Sequence, residues 1–177
     1  FLGQVNFLRR FISNTAGKIK VFSSLLWLKD EEEFVWTAEY QTAFEGIKAY
    51  LAQPPVLMPP KGDKPLKLYK PLKLYIVAVE DSLGVFLAQD NEEGKEQAVY
   101  YLSRFLNSCE CKYSIVEKLC LALYLAAMRL RYYLLPTTVL VIVTTDLVKY
   151  MLSRLMLRGR IGKLILALSE FHPEYVP

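Results

Sequence analysis

Two carboxylates of the sequence lie where a protein can hold a metal ion. Glu117 falls near the start of a predicted long helix, Ser114 to Tyr133. Asp146 directly follows a β-branched run, Thr138 to Thr145, that predicts a strand apolar on both faces. Carboxylates near strand and helix ends supply the hard oxygen ligands that Mg²⁺ prefers. Both also have a structural interpretation, because Ser114-Ile115-Val116-Glu117 fits a capping box and Asp146 fits an N-cap.

Other residue types that carry chemistry form no recognisable site. His172 is the only histidine, so neither a triad nor a metal cluster can be built from it. Cys109, Cys111 and Cys120 lack the spacing of a zinc site or of a disulfide framework, which favours free thiols in a reducing, intracellular compartment such as cytoplasm or nucleus. No Tyr-x-Asp-Asp polymerase signature and no glycine-rich phosphate loop occur, which excludes nucleotide polymerisation by this chain.

The distribution of charge is more informative than the net charge of +4. Residues 1–28 contain Arg9, Arg10, Lys18 and Lys20 and no acid. A second stretch without acids, residues 147–169, contains Lys149, Arg154, Arg158, Arg160 and Lys163. Such runs either form a solvated helix face or contact a phosphate backbone.

The length and composition predict one ordinary globular domain or a small domain with an incomplete neighbour. The chain has 177 residues, of which 53% are apolar, enough to bury a core. Its longest apolar stretch, Leu119 to Met128, is ten residues. A bilayer span needs roughly 20, so no membrane segment is predicted. Phe1 begins in the middle of a pattern, which indicates a fragment of something longer.

The first part of the chain reads as helical. Tyr40, Phe44, Ile47 and Leu51 share one helical face, with Thr37 as a plausible N-cap. Two shorter helices are predicted upstream, separated near Asn14 to Gly17. We expect a helical unit over residues 1–53 and a proline-rich linker over residues 54–71.

The linker contains an exact tandem copy of six residues. Lys64-Pro65-Leu66-Lys67-Leu68-Tyr69 is repeated as Lys70-Pro71-Leu72-Lys73-Leu74-Tyr75. A shift of six preserves which side chains face a core, but proline cannot donate to a central ladder. We therefore expect the second copy to start a strand and the first to be looped out.

The remaining residues, 72–177, read as a mixed α/β domain. An antiparallel meander is predicted, then the long helix, the apolar strand, two helices and a final strand. The predicted meander strands are Leu72 to Val79, Leu83 to Gln89 and Gln97 to Ser103. The predicted later elements are helices Leu147 to Leu157 and Ile161 to Ser169 and the strand Phe171 to Val176.

Several ordered motifs resemble the Pol polyprotein of gypsy-type LTR retrotransposons. Leu2-Gly3-Gln4-Val5-Asn6-Phe7-Leu8-Arg9-Arg10-Phe11-Ile12 is similar to the segment that follows the polymerase palm of the reverse transcriptase. The second half resembles the RNase H domain of the same polyproteins. The matching segments there are Tyr113-Ser114-Ile115-Val116-Glu117-Lys118, Leu121-Ala122-Leu123, Leu130-Arg131-Tyr132-Tyr133-Leu134, Thr145-Asp146 and Leu166-Ala167-Leu168-Ser169-Glu170. Leu152-Ser153-Arg154 and Arg158-Gly159-Arg160 look most like plant elements.

The resemblance implies an RNase H-like fold, a five-stranded mixed sheet of order 3-2-1-4-5 with flanking helices. It also implies cleavage of the RNA strand of RNA–DNA hybrids by Mg²⁺ held between acidic side chains. Residues 1–53 then correspond to the thumb- or connection-like end of the reverse transcriptase, and residues 72–177 to an RNase H-like domain truncated at its C-terminus. The implied partners are the hybrid and the rest of the polyprotein.

Carried over residue by residue, the implied site is incomplete. Glu117 and Asp146 match the second and third acids and are the implied catalytic and metal-binding residues. Val77 stands where the first acid is expected, in a register set by Gly84. The fourth acid of the family lies beyond Pro177. Candidate phosphate contacts are Arg154, Arg158, Arg160 and Lys163.

Three hypotheses follow from this pattern. The first is a retrotransposon-derived fragment with the RNase H-like fold and impaired cleavage. The second is an active enzyme within a longer polyprotein, in which Glu80 or Asp81 replaces the missing acid. Against it, Asp81 lies four strand residues from Val77, roughly 13 Å. The third is a non-catalytic module that binds nucleic acid or acts as a scaffold.

Overall fold

The computed structural model describes residues 2–27, 35–53, 57–58, 71–144 and 173–176. Within these ranges, no helix is both long and apolar enough to cross a membrane. The predicted helices Leu147 to Leu157 and Ile161 to Ser169 and the first hexapeptide copy lie outside the described residues.

The N-terminal part is a cluster of short helices around a small core. Asn14 adopts a left-handed conformation (φ 49°) and its side chain accepts a hydrogen bond from the Gly17 amide, so the break predicted near these residues occurs at Asn14. Gly17 itself lies within the next helix, which corrects the C-terminal limit of that break. The elements are α1 (Leu2–Leu8), a 3₁₀ turn (Arg9–Phe11), α2 (Thr15–Ile19) and a 3₁₀ helix (Lys20–Trp27).

A longer helix, α3 (Ala38–Ala52), completes this cluster. Its N-cap is the predicted Thr37, whose side chain accepts a hydrogen bond from the Tyr40 amide. The helix ends just before Pro54, where a proline ring would clash with the preceding turn. The fully buried residues of the small core come from several elements: Val5, Ile12, Phe22 and Ile47.

The second part is a five-stranded mixed sheet in the order β3-β2-β1-β4-β5, as predicted. The strands are β1 (Leu72–Ala78), β2 (Ser82–Asp90), β3 (Glu96–Phe105), β4 (Val139–Ile142) and β5 (Pro173–Val176). The first three form an antiparallel meander, and β4 runs parallel to both β1 and β5. The β-branched run predicted as a central strand therefore lies between two neighbours.

One face of the sheet packs against α4 (Ile115–Arg129). Side chains alternate along β1, so Leu72, Leu74 and Ile76 point into the core beneath this helix and are buried. The predicted single helix ending at Tyr133 is wrong in one respect. Leu130 leaves helical geometry (φ −106°, ψ 16°), and a four-residue helix α5 (Arg131–Leu134) follows. Leu130 and Leu134 are both buried, so the apolar spacing continues through the break and does not reveal it.

The second copy of the hexapeptide supplies the start of β1, as predicted. Leu72 donates its amide proton to the Thr138 carbonyl, at 3.0 Å, and pairs with Val139. Upstream of it, Met58 donates its amide proton to the Ala98 carbonyl, at 2.9 Å. This contact places part of the linker against β3, an edge strand, where it satisfies one exposed backbone group.

Candidate nucleic-acid groove at the end of β1

The face of the sheet opposite α4 forms the floor of a groove. Tyr75 and Val77 of β1 point to this side, next to Phe86 of β2. Residues 13–20 of the helical part form the opposing wall, through Ser13, Asn14, Gly17 and Lys20. The groove has a volume of about 980 Å³ and is mainly apolar. We call it the β1 groove.

Val77 lies in the floor of the β1 groove at the C-terminal end of β1. It pairs directly with Gly84 of β2, the glycine on which the family alignment of Val77 depends. A side chain at Gly84 would bring its Cβ to 3.1 Å from Cγ1 of Val77, so the glycine leaves room for the residue at position 77. Val77 is 57% exposed. The side chain of valine has no oxygen, so it cannot take the place of a carboxylate ligand for Mg²⁺.

Asp81 lines the same groove from the turn between β1 and β2. Its carboxylate forms an ion pair with Lys20 of the opposing wall. The hydrogen bond from Lys20 holds the pKa of Asp81 below its ordinary value, and Asp81 in turn raises the pKa of Lys20. The one carboxylate that reaches this groove from the described residues is thus already neutralised by a cation of the chain.

A second polar contact joins the same two parts of the molecule. The amide of Ala16, in the first turn of α2, donates to Oγ of Ser103 on β3, at 3.0 Å. Together with the Lys20–Asp81 pair, this contact holds the helical wall against the sheet. Any ligand of the β1 groove therefore meets residues of both parts of the chain.

Glu117 lies in the first turn of α4 and forms the capping box. Its Oε2 accepts hydrogen bonds from the amide and the hydroxyl of Ser114, both at 2.9 Å. The Glu117 amide donates back to Oγ of Ser114, at 3.3 Å. Glu117 does not line the β1 groove. The capping box predicted from Ser114 and Glu117 is therefore present in the structure.

Lys118, the next residue of α4, ties that helix to the β1–β2 turn. It is only 6% exposed, and its Nζ donates to the carbonyl oxygen of Glu80, at 2.7 Å. A buried ammonium group needs such an acceptor, because desolvation without one is costly. The turn that carries Asp81 is consequently held from two sides, by Lys118 of α4 and by Lys20 of the helical wall.

Aromatic side chains continue the floor of the groove across three strands. The ring centroids of Tyr75 and Phe86 are 5.6 Å apart and those of Phe86 and Tyr101 are 4.9 Å apart, in stacked geometry. Tyr75 donates its hydroxyl proton to Glu96, which raises the pKa of the phenol. Lys73 forms ion pairs with both Glu96 and Asp90, at 2.8 and 2.9 Å. The hydrogen bond from Lys73 lowers the pKa of Glu96.

The described residues do not fit a metal centre. Among them, no three His, Cys, Asp or Glu side chains come together in a way that could hold an ion. The side chain at position 77 lacks an oxygen ligand, and Oε2 of Glu117 accepts the hydrogen bonds of the cap. The other predicted site residues, Asp146, Arg154, Arg158, Arg160 and Lys163, lie outside the described residues, as does His172.

The sequence did not reveal the partners of three groups at this site, of which Lys20 had been named only as a member of the basic run over residues 1–28. Lys20, Lys118 and Ser103 act through partners that are 61, 38 and 87 residues away along the chain. No local spacing reveals such pairs. The only available signal was that Lys118 interrupts an otherwise apolar helical face.

The family comparison agrees with the fold. Residues 36–141 match the family described as the RNase H-like domain found in reverse transcriptase. The Tf2-3 and Tf2-4 transposon polyproteins of Schizosaccharomyces pombe are each 31% identical to the chain over 137 residues. The match covers 77% of this chain and 10% of each polyprotein, so the chain spans about a tenth of the length of these relatives.

Solved structures with this architecture come from a foamy virus. The foamy viral protease-reverse transcriptase in complex with dsDNA superposes with a TM-score of 0.76 at 20% identity, over 99% of this chain and 37% of that one. The same enzyme in complex with an RNA/DNA hybrid gives 0.72 at 22% identity, over 99% and 24% of the two chains. At these identities the likeness establishes the fold. Together with the family match over residues 36–141, it shows that the chain belongs to the RNase H-like domains of retroelement reverse transcriptases.

Proposed function

We propose that the chain is the RNase H-like part of a gypsy-type LTR retrotransposon polyprotein that binds RNA–DNA hybrids and is impaired in cleaving them. Its partners are the hybrid and the rest of the polyprotein. The observation that supports impaired cleavage is Val77, an apolar residue in the groove floor where the family resemblance implies an acid. The plant origin suggested by the residues around Arg154 and Arg158 stays a prediction.

Hybrid cleavage by this class of enzyme requires Mg²⁺ between several carboxylates, because the ions must stabilise both the attacking and the leaving oxygen. Val77 removes one carboxylate, and the cap hydrogen bonds of Glu117 compete with metal binding at another. Asp146 would retain a ligand position. One or two carboxylates attract a hard cation weakly and do not hold a pair of them.

Binding of the hybrid does not need the missing acid. The basic stretch with Arg154, Arg158, Arg160 and Lys163 supplies charge for phosphate contacts, which dominate nucleic-acid affinity. The foamy viral protease-reverse transcriptase has been solved in complex with an RNA/DNA hybrid, and this chain shares its fold. Affinity should fall as salt increases, and replacing two of these arginines by Gln should reduce the salt dependence.

An active enzyme that uses Asp81 is the second candidate, favoured because Asp81 does line the same groove as Val77. The Lys20 ion pair argues against it, since a carboxylate paired with ammonium is a poor ligand for Mg²⁺. Under this alternative, Lys20→Met should increase metal affinity and cleavage.

The test is to restore the acid and to measure metal binding apart from activity. We expect Val77→Asp to increase Mg²⁺ affinity in a calorimetric titration relative to Val77→Asn, which has the same shape without the charge. Hybrid affinity should be the same in both variants and in the unmodified chain. Equal Mg²⁺ affinity of the Asp and Asn variants would refute the assignment of position 77, and loss of hybrid binding in all three would refute the binding function.

A further inference from the structure

Among the described residues that line the β1 groove, one is a cation and one is an anion. The cation is Lys20, which projects from the helical wall, and the anion is Asp81, on the turn between β1 and β2. The remaining lining residues are uncharged, and the groove is mainly apolar. In the part of the groove that the structure describes, recognition of an anion therefore depends on Lys20.

Lys20 also belongs to the acid-free basic stretch of residues 1–28, which the proposed function does not use. Of the four basic residues of this stretch, only Lys20 lines the β1 groove. Lys18, for example, donates from its Nζ to the carbonyl oxygen of Ser13, at 2.8 Å, and its ammonium group lies 4.6 Å from the ring centroid of Tyr50. Lys18 is thus engaged within the helical part, whereas Lys20 reaches across to the sheet.

The Lys20–Asp81 pair stays accessible to a ligand of the groove. The two side chains are 62% and 39% exposed. A lysine ammonium group carries three donors on a flexible stem, and Lys20 gives a hydrogen bond to one oxygen of Asp81. The same ammonium group can therefore donate to a phosphate oxygen as well. An exposed pair of this kind is also weak enough for a charged ligand to compete with it.

We propose that Lys20 is a phosphate contact of the β1 groove and that Asp81 weakens this contact, by neutralising Lys20 and by repelling the phosphate. The ligand is the sugar-phosphate backbone of the RNA–DNA hybrid, whose affinity for a protein depends mainly on phosphate contacts. The inference rests on the proposed hybrid-binding function and adds a contact outside residues 147–169. Asp81 thereby limits the affinity of the groove for the hybrid.

A purely structural role of the pair makes a different prediction. If the pair only holds the helical wall against the sheet, its loss from either side should weaken hybrid binding to the same degree. If Lys20 contacts a phosphate, loss of Lys20 weakens binding and loss of the Asp81 charge strengthens it. The sign of the effect at Asp81 therefore separates the two roles.

Fluorescence anisotropy of a labelled hybrid, titrated with the full 177-residue chain, tests the proposal. EDTA replaces Mg²⁺, so that binding is measured apart from cleavage. At about 0.15 M salt, we expect Lys20→Met to weaken the affinity about two- to fivefold and Asp81→Asn to strengthen it by a similar factor, the range for an exposed charge pair. The salt dependence of log affinity should become shallower by up to about 1 in Lys20→Met. Lys20→Arg keeps the charge and should retain the affinity.

A second exposed ion pair provides controls that are matched in net charge. Lys95 pairs with Glu93 at 3.6 Å in the connection between β2 and β3, and neither residue lines the β1 groove. This connection lies at the other end of β2 from Asp81, roughly 25 Å away at about 3.3 Å per residue. The Debye length at 0.15 M salt is about 8 Å. Lys95→Met and Glu93→Gln should therefore change the hybrid affinity less than Lys20→Met and Asp81→Asn.

Opposite effects of Lys20→Met and Asp81→Asn, each larger than its control, would support the proposal. Weaker binding in both variants would leave only the structural role of the pair and overturn it, as would effects that equal those of the controls. If Lys20→Met fails to fold in a thermal melt, the sign of the Asp81→Asn effect decides. In each of these cases the unmodified chain binds the hybrid and the proposed function stands. Absence of hybrid binding by the unmodified chain would refute both.

Discussion

The sheet with α4 and the helical part before the linker differ in how much apolar surface holds them together. The sheet core continues across β1, β2, β3, β4 and α4, with many side chains that are completely buried. The helical core contains four fully buried residues among those described. Because burial of apolar area is the main stabilising contribution, the two parts should resist unfolding to different degrees.

The contacts between the two parts are polar at the groove. The ion pair of Lys20 with Asp81 and the hydrogen bond of Ala16 to Ser103 join the helical wall to the sheet. The Lys20–Asp81 pair is exposed to solvent and adds little stability, whereas the Ala16–Ser103 hydrogen bond is partly buried. Regions with few buried contacts open first under denaturing conditions. The comparison therefore indicates a rigid sheet with a helical wall of lower stability, and both line the β1 groove.

The largest expected effect is a difference in thiol reactivity between the buried Cys120 and the exposed Cys109. Cys120 lies in the sheet core, and burial, with a smaller effect of Glu117, raises its pKa from 9.0 to about 11. Each pKa unit changes the thiolate fraction tenfold, so Cys120 should react about 100-fold more slowly than an ordinary thiol at pH 8, before steric protection is counted. Labelling by a maleimide, read by mass spectrometry, should modify the exposed Cys109 first. Comparable rates at Cys109 and Cys120 would mean that the sheet core opens readily.

Truncation of a core side chain in one part or the other should separate the urea unfolding transitions of the two parts. Leu74→Ala removes a completely buried side chain beneath α4 and should cost about 2–5 kcal/mol in the sheet. Phe22→Ala removes the centre of the helical core, where Phe22 stacks on Trp36 with ring centroids 6.1 Å apart, and should cost about 3–5 kcal/mol there.

Probes for the two transitions are already in the chain. Both tryptophans precede the linker, at positions 27 and 36, and report on the helical part by fluorescence. Exposure of Cys120 reports on the sheet. We expect Leu74→Ala to shift mainly the Cys120 transition and Phe22→Ala mainly the fluorescence transition. Identical shifts of both probes in both variants would show one cooperative unit and contradict the comparison.

Removal of the capping box should have a smaller effect on the free energy of unfolding, and this effect should be confined to the sheet part. Ser114→Ala removes both side-chain hydrogen bonds of the cap and should lower the free energy of unfolding by about 1 kcal/mol. Glu117→Gln should cost only a few tenths of a kcal/mol, because glutamine also serves in a capping box. Circular dichroism melts of the two variants measure this difference. A larger loss in Glu117→Gln than in Ser114→Ala would show that the negative charge of Glu117 matters for more than the cap.

The smallest expected effect is that of the ion pair across the β1 groove. The pKa of Asp81 is lowered in the folded chain, so the pair stabilises above the ordinary pKa of a carboxyl group and is lost as the pH falls through the lowered value. Lys20→Met should therefore lower the melting temperature slightly at pH 7, and should leave it unchanged at a pH far enough below the ordinary carboxyl pKa to protonate Asp81 in the folded chain. High salt should reduce the difference at pH 7. A difference that persists at acid pH would indicate lost packing of Lys20 instead of lost charge.

Much of the sheet was predictable because its signals are local. The alternation along β1 and the β-branched run of β4 identify the strands, and the spacing of Val77 and Gly84 agrees with their direct pairing. The strand β4 is shorter than predicted and ends at Ile142 instead of Thr145. The ends of β1, β2 and β3 differ by one or two residues: β2 is longer than predicted at both ends, and β3 extends to Phe105. Backbone pairing continues there through residues without a strong apolar pattern.

The candidate site was predictable only in part. The prediction that Val77 replaces an acid rests on family resemblance alone, whereas the capping box of Glu117 was predicted from a four-residue spacing and is present. The wall formed by residues 13–20 and the ion pair of Lys20 with Asp81 could not be inferred, because they arise when two distant parts of the chain pack together.

The central claim is binding of an RNA–DNA hybrid without efficient cleavage. One assay tests it directly: the unmodified chain is incubated with a hybrid labelled on the RNA strand, in Mg²⁺, while anisotropy reports binding and gel electrophoresis reports cleavage. We expect salt-dependent binding and intact RNA over hours. Rapid Mg²⁺-dependent cleavage that Glu117→Gln abolishes would contradict the account.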